Sequence, residues 1–283
     1  MSTIDPAIRI PVRVVLSGSG TLYPLHAGAL CALDDLGYEV REIVGVSGGA
    51  IVGALYASGL RGTELRAKLA TLTPTWRLWD FSWWPWKSWG LIRGNKIERL
   101  LKDNVVPHMG ETRIPMNVLT YNIDRQEDPY YPRPTVWSSA GTPKVSLARV
   151  VRASMSLPGI FTPVDLLGER HIDGGVASNF PIDFFQDKGC DDLPVIAFRV
   201  RGLHGKQDKP QNLLSYGDAI LNAFMGNVTR EQADDAPKVT IINLTTSQNG
   251  MSFDMPAYKV NALMDIGHYQ TIHSLQNLTI VLS

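Results

Sequence analysis

Two short β-branched runs, residues 12–16 and 41–46, each break off into glycine and serine and then into a helix-like stretch. The first loop reads Ser17-Gly18-Ser19-Gly20 and leads to helical spacing over about 25–36, closed by Gly37. The second reads Gly45-Val46-Ser47-Gly48-Gly49 and leads to a run of small residues at 50–59. Strand, glycine loop, helix, strand, serine turn, helix is the rhythm of a parallel sheet, whose functional loops sit at the C-terminal ends of the strands. An α/β fold is therefore expected, with two glycine-bearing loops side by side at one end of it.

The rest of the chain continues in kind. Residues 114–122 and 134–137 read as strands around a polar, Pro-rich turn, and 145–155 as a helix that stops before Pro158. Residues 161–172 look like a hairpin around Gly168 that leads into Asp173-Gly174-Gly175. Helical spacing returns over 90–101, buried-strand runs lie at 194–200 and 239–244, and long amphipathic helices are expected at about 212–234 and 256–276. With 283 residues, 44% hydrophobic and 19% charged, the chain is expected to form one globular domain over 1–283. Lys+Arg and Asp+Glu are 27 each, so the basic footprint of a nucleic-acid binder is missing. Residues 1–11 hold no continuous apolar stretch and no apolar run is long enough to span a membrane, which predicts a soluble or peripheral protein of the cytoplasm. Cys31 and Cys190 are far apart, lack metal-ligand spacing and read as free thiols.

A serine on a sharp strand-to-helix turn is held exposed at the positive end of the following helix, which makes Ser47 a candidate nucleophile. Such a hydroxyl needs a base and a set of donors for the oxyanion it creates. Backbone N–H groups of Gly18, Ser19 and Gly20 are the candidate donors. The same loop as a nucleotide site lacks the Gly-Lys-Ser/Thr ending of a phosphate loop and the last glycine of the dinucleotide fingerprint. For the base, six histidines are available, and His204, His268 or His273 follows the serine in the order used by α/β-hydrolases. Asp173, flanked by glycines after a strand, is the carboxylate alternative; an ordinary Asp-Gly turn is the plain reading of the same letters.

Taken together, Gly18-Ser19-Gly20, Gly45-Val46-Ser47-Gly48-Gly49, the segment Arg152-Ala153-Ser154-Met155-Ser156-Leu157-Pro158, and Asp173-Gly174-Gly175 with Asn179 and Pro181 resemble the patatin-like phospholipase family. Gly90-Leu91 with Gly94 looks like another of its landmarks, and the resemblance runs from about 12 to 267 with the motifs in family order. It implies a three-layer αβα sandwich around a central, mostly parallel sheet. It also implies a Ser-Asp dyad, with Ser47 as nucleophile and Asp173 as general base and no catalytic histidine, acting on fatty-acyl esters of glycerolipids. Chemistry at those two residues uses protein groups alone and no His/Cys/Asp cluster has ligand spacing, so no metal or cofactor is expected. The glycine loop departs from the family's pattern: Leu22 stands where a basic residue is usual and Tyr23 where a glycine is usual.

The expected function is a serine lipid acyl hydrolase of phospholipase A or lysophospholipase type, with a phospholipid or other acyl ester as substrate. A carboxylesterase or thioesterase on small acyl substrates is the alternative enzyme, and a catalytically silent lipid-binding module the alternative of another class. Six of the seven tryptophans crowd residues 76–89, a stretch broken by Pro74 and Pro85. Tryptophan favours the boundary between membrane and water, so this insertion, about 72–90, is expected to form a lid or docking patch for a peripheral membrane surface, with Trp83, Trp84 and Trp86 in contact. Core packing or a dimer contact is the opposing expectation.

Overall fold

The computed structural model describes residues 9–72, 78–125, 132–185, 193–202, 239–248 and 255–281. Its centre is an eight-stranded sheet. Strands β1 (Ile10–Leu16), β2 (Tyr38–Val46) and β4 (Met116–Asn122) run parallel, and β9 (Val195–Gly202) and β10 (Val239–Thr246) extend the parallel array beyond β1. Three antiparallel strands complete it: β5 (Thr135–Ser138), β7 (Val164–Leu166) and β8 (Glu169–Asp173). Helices flank the sheet: α1 (Pro24–Asp35), α2 (Gly48–Ala57), α3 (Gly62–Thr71), α5 (Asn95–Lys102), α6 (Leu147–Ser154) and the long α7 (Ala257–Val281). A single helical turn, α4 (Pro85–Ser88), precedes β3 (Gly90–Ile92).

Side chains of a strand alternate between its two faces. On one face Val14, Leu16 and Ile43 pack with Leu25, Leu33, Ala54 and Met264 of the helices. On the other, Val15, Val44, Val46 and Ala197 join Phe180, Ile182 and Phe185. Both faces of the central strands are thus covered, as a parallel sheet requires. Helix α7 lies against α1 at a distance only glycine permits: a Cβ on Gly28 would stand 1.9 Å from the Met264 carbonyl oxygen, and one on Gly267 2.1 Å from that of Leu25.

Register explains how residues far apart in sequence meet. Val118 of β4 pairs with Gly45 of β2 and with Trp137 of β5, so β2 and β5 lie on opposite edges of β4. Thr120 pairs with Thr135 of β5 and with Asp173 of β8. A strand has two edges, so β8 shares an edge of β4 with β2. The two strands approach each other end to end, Val46 opposite Leu119 and Asp173 opposite Thr120.

The expected helical stretch at 90–101 divides. Residues 90–92 form β3, which pairs parallel with β6 (Gly159–Phe161) in a separate two-stranded sheet, and the helix begins only after Gly94, whose φ of 72° turns the chain. Ile92 is buried as a strand residue beside Phe161 of β6, with Leu157 and Ile97 packed around the pair. The hairpin around Gly168 is present but shorter than expected: Phe161 belongs to β6, and the antiparallel pair is β7–β8, turning through Leu167 and Gly168 at φ 58° and 88°. The helix expected at 212–234 lies outside the described residues, as does Cys190; Cys31 is a free thiol.

Candidate active site

Ser47 stands between the last residue of β2 and the first of α2 with φ 51° and ψ −121°. Residues other than glycine rarely occupy that conformation, and a neighbourhood that holds one there stores strain. Its restraints are visible. The Ser47 N–H donates to Ser154 Oγ (2.9 Å), and that hydroxyl donates to the Leu119 carbonyl (2.6 Å), bridging the place where β2 ends and β8 begins on β4. The Ser47 carbonyl accepts the N–H of Ala50 (3.0 Å), opening α2. The glycines after it let the turn sit directly on the first loop. A Cβ on Gly48 would meet Ser19 Oγ at 2.3 Å and the Gly20 carbonyl oxygen at 2.8 Å, and one on Gly49 would meet the Leu16 carbonyl oxygen at 2.5 Å.

Asp173 ends β8 and has no exposed surface. Its N–H donates to the Ser156 carbonyl (3.0 Å), and its Oδ1 accepts the Gly175 N–H (2.8 Å). Burial pushes the carboxyl up to about 7, against the lowering influence of the Ser47 hydroxyl and the Gly175 N–H. The Ser47 hydroxyl is thus near enough to act on the carboxyl, yet Oδ2 makes no well-formed hydrogen bond among the described residues. The two groups are neighbours not joined by a formed bond, a common state of catalytic pairs in free enzymes.

The glycine loop is anchored at its base. Ser17 N–H donates to the Phe198 carbonyl (3.1 Å), Ser17 Oγ accepts the Val200 N–H (3.0 Å), and the Ser17 carbonyl contacts His26 Nε2 (2.9 Å). Of the three donors expected here, Gly18 is already engaged, its N–H bonded to the Asn179 carbonyl at 2.9 Å. The fold ties Gly18 down as a strut between the loop and the segment after Asp173. Ser19 and Gly20 remain beside Gly48, and the buried Ser19 hydroxyl has no hydrogen-bond partner among the described residues. At the two departures from the family pattern the side chains serve packing. Leu22 is buried in the core, and Tyr23 donates its hydroxyl hydrogen to the Leu72 carbonyl (2.9 Å).

A pocket opens from Ser47, with about 740 Å³ of empty space that includes open solvent. Gly20, Thr21 and Gly48 line its end at the serine; Ile51, Leu100, Met155, Leu157 and Phe161 are among the apolar side chains that line the remainder. Leu78 and Trp79 line it as well, so Trp79 turns inward from the aromatic stretch while Trp83, Trp84 and Trp86 are exposed. Trp76 lies outside the described residues.

The described histidines have partners elsewhere, His108 with Glu111 among them. His171 bonds Thr120 Oγ1 (2.9 Å) beside Trp137, and burial lowers its pKa. His268 pairs with Asp35 (2.7 Å), and His273 contacts Asn277 (3.1 Å). His26, buried against Ser17, is pushed down to about 4 by burial and stays neutral. His204 lies outside the described residues. Among the described residues no group of His, Cys, Asp and Glu could hold a metal ion, and no helix is long and apolar enough to cross a membrane.

Sequence reasoning took residues 152–158 only as a family landmark and missed what they do. Ser154 holds the serine turn, and Arg152 is a buried cation whose guanidinium donates to the carbonyls of Arg93, Gly94 and Thr162 and to Ser156 Oγ. A polar Arg-x-Ser-x-Ser run inside an otherwise apolar helix end was the available signal.

The family model for patatin-like phospholipase matches residues 14–185. The chain belongs to that family. Among curated relatives, lysophospholipase NTE1 of Candida glabrata is 27% identical over 222 residues, 75% of this chain, and lysophospholipase nte1 of Aspergillus fumigatus is 30% identical over 218 residues, 74% of it. Those aligned stretches are 11% and 13% of the relatives' own lengths, so the chain spans a small part of much longer proteins. The crystal structure of VipD from Legionella pneumophila is similar over 94% of this chain and 67% of that one, with a TM-score of 0.51 and 15% identity, a likeness of fold alone.

Proposed function

We propose that this protein is a serine lipid acyl hydrolase of phospholipase A or lysophospholipase type, working through a Ser47 acyl-enzyme with Asp173 as general base. The observation that carries the reading is the meeting of three features in one place: a strained serine, a buried carboxylate with a free oxygen, and an apolar pocket that starts at the serine. Family membership and relatives named as lysophospholipases support the substrate class. The chain is read as one catalytic unit, since β9 and β10, beyond the family match, belong to the same sheet as β1.

The chemistry follows from the groups present. Asp173 Oδ2 takes the hydroxyl proton as Ser47 Oγ attacks the ester carbonyl, and the negative charge that develops on the carbonyl oxygen falls beside Ser19, Gly20 and the N-terminus of α2. Collapse expels the alcohol, which regains a proton from Asp173. Water then attacks the acyl-serine, giving its proton to Asp173, and the fatty acid leaves while Ser47 recovers its hydrogen. A carboxyl at about 7 is a far better base than one at the ordinary 3.8, and burial supplies that difference. A fatty-acyl chain suits the apolar walls, while the scissile bond lies at the polar end.

The test is fluorophosphonate labelling with peptide mapping, alongside hydrolysis of a water-soluble ester and of lysophospholipid micelles. Labelling at Ser47, and loss of both activities in Ser47→Ala, is the expected result. Undiminished hydrolysis by folded Ser47→Ala protein would refute the assignment. Hydrolysis of the soluble ester without the micellar lipid would refute the lipid substrate and leave a small-ester hydrolase.

A further inference from the structure

The aromatic stretch rises from the rim of the pocket. Leu78 and Trp79 line the pocket on one side of it in sequence, and Ile97, Leu100 and Leu101 on the other. Between them Phe81, Trp83, Trp84, Trp86, Trp89 and Leu91 all face outward, from 41% exposed at Leu91 to 81% at Trp83. Other exposed large apolar side chains, such as Leu167 and Tyr258, stand apart from it, whereas this stretch gathers six within eleven residues, and so contiguous an exposed apolar surface marks an interaction site.

The exposure belongs to an ordered element. Phe81 and Ile92 form an antiparallel bridge, Ser82 N–H donates to the Leu91 carbonyl (2.8 Å), and Arg93 N–H donates to that of Asp80 (2.8 Å). The Asp80 carboxylate accepts the N–H groups of Gly94 (2.7 Å) and Asn95 (2.8 Å). Beneath it the buried Arg152 guanidinium holds the Arg93 and Gly94 carbonyls, tying the base of the element to helix α6, which also carries Ser154. At the tip Pro85 starts the single turn α4, and the rings of Trp84 and Trp86 meet edge to face, 5.5 Å apart. The outward tryptophans are therefore presented by a braced structure.

Charge selects the partner. From 81 to 97 the chain carries Lys87, Arg93 and Lys96 and no acidic residue. Lys87 lies 5.8 Å from the Trp84 ring centre, and Arg93 is exposed. The nearest carboxylates are engaged, Asp80 by the N–H groups of Gly94 and Asn95 and Asp124 by Arg170, whose guanidinium lies over the Trp89 ring. Exposed indole rings flanked by cations match the boundary layer of a bilayer whose headgroups are anionic. Continuity with the pocket points the same way: an acyl chain leaving a bilayer at this rim meets the apolar walls of the site without crossing water.

We infer that residues 81–93 form a bilayer-docking lip that seats the pocket mouth on an anionic lipid surface. The inference rests on the lipid-hydrolase reading for its purpose, but its binding step is separable from catalysis.

The experiment uses Ser47→Ala protein, so that binding is measured without turnover, and sedimentation with phosphatidylcholine vesicles with and without phosphatidylglycerol. Binding to the anionic vesicles is expected. Trp83→Ser/Trp84→Ser/Trp86→Ser in the same background should lower the partition coefficient by about a hundredfold, given the apolar area withdrawn from the interface. Lys87→Gln/Arg93→Gln should lower binding to anionic vesicles by about tenfold and leave binding to pure phosphatidylcholine nearly unchanged. Equal vesicle binding by the folded triple variant would overturn the lip. So would a dimer in light scattering that the triple variant dissolves while neither protein binds vesicles, since the patch would then meet a second copy. Should circular dichroism find the triple variant unfolded, quenching of intrinsic tryptophan fluorescence by brominated phosphatidylcholine in the anionic vesicles decides, and absence of quenching overturns the proposal. Failure of fluorophosphonate labelling of unsubstituted protein would refute the catalytic reading while leaving vesicle binding to stand or fall by itself.

Discussion

Asp173 should reveal itself through pH in two opposite ways. Its carboxyl is pushed from 3.8 to about 7, and the influences on it are burial, the Ser47 hydroxyl and the Gly175 N–H, with no charged side chain among them. As a base it must be ionised to act, so kcat/KM for a water-soluble ester should climb about tenfold per pH unit below 7 and level off above it. At pH 5 only about 1% of the plateau should remain, whereas a carboxylate at its ordinary value would keep about 90%. The same displacement opposes folding. Below 3.8 the group is neutral folded or unfolded and adds no penalty. As pH rises the unfolded chain ionises first, and above about 7 the folded protein carries the buried charge, at a penalty of about 4 kcal/mol. Asp173→Asn removes that penalty while its amide oxygen can still accept the Gly175 N–H now bonded to Oδ1. The variant should lose essentially all hydrolysis yet be more stable than the parent by up to about 4 kcal/mol at pH 8, and by less than about 1 kcal/mol at pH 4, in urea unfolding followed by circular dichroism. All other titrating groups are common to both proteins and cancel in the difference. A kcat/KM profile flat from pH 5 to 9, or an Asn variant no more stable at pH 8 than at pH 4 relative to the parent, would refute the reasoning.

Ser154→Ala leaves the Ser47 N–H and the Leu119 carbonyl without their shared partner in a buried site; a loss of about 1–3 kcal/mol in stability and of about tenfold or more in kcat is expected from chemical denaturation and ester kinetics. Gly48→Ala would drive a methyl toward Ser19 Oγ, 2.3 Å from its ideal position, and against the Gly20 carbonyl, so the loop should shift and kcat should fall by about a hundredfold in the same ester assay. Arg152→Met removes four hydrogen-bonded acceptors' donor at once; thermal unfolding should show a loss of about 3 kcal/mol or more, and limited proteolysis should find new cleavage within 81–93.

Much of the parallel sheet and the serine turn were legible in the chain itself because both are local. A β-branched run ending in Gly-Ser-Gly and a helix of small residues after Ser47 depend on neighbours within a few positions, and Ser47 takes the backbone conformation such a turn demands. The aromatic stretch was legible as unusual, since so many tryptophans between prolines resist burial, and four of them are exposed. Tertiary structure decided what depends on distant partners. That Gly18 braces the loop against Asn179, that β3 pairs with β6 in a second sheet, and that Trp79 faces the pocket all follow from contacts between segments far apart in sequence. The same holds for the approach of Asp173 to Ser47, which arises because β8 continues the edge of β4 that β2 leaves. The base strength of that carboxylate comes from burial, and burial belongs to the assembled fold rather than to any stretch of residues.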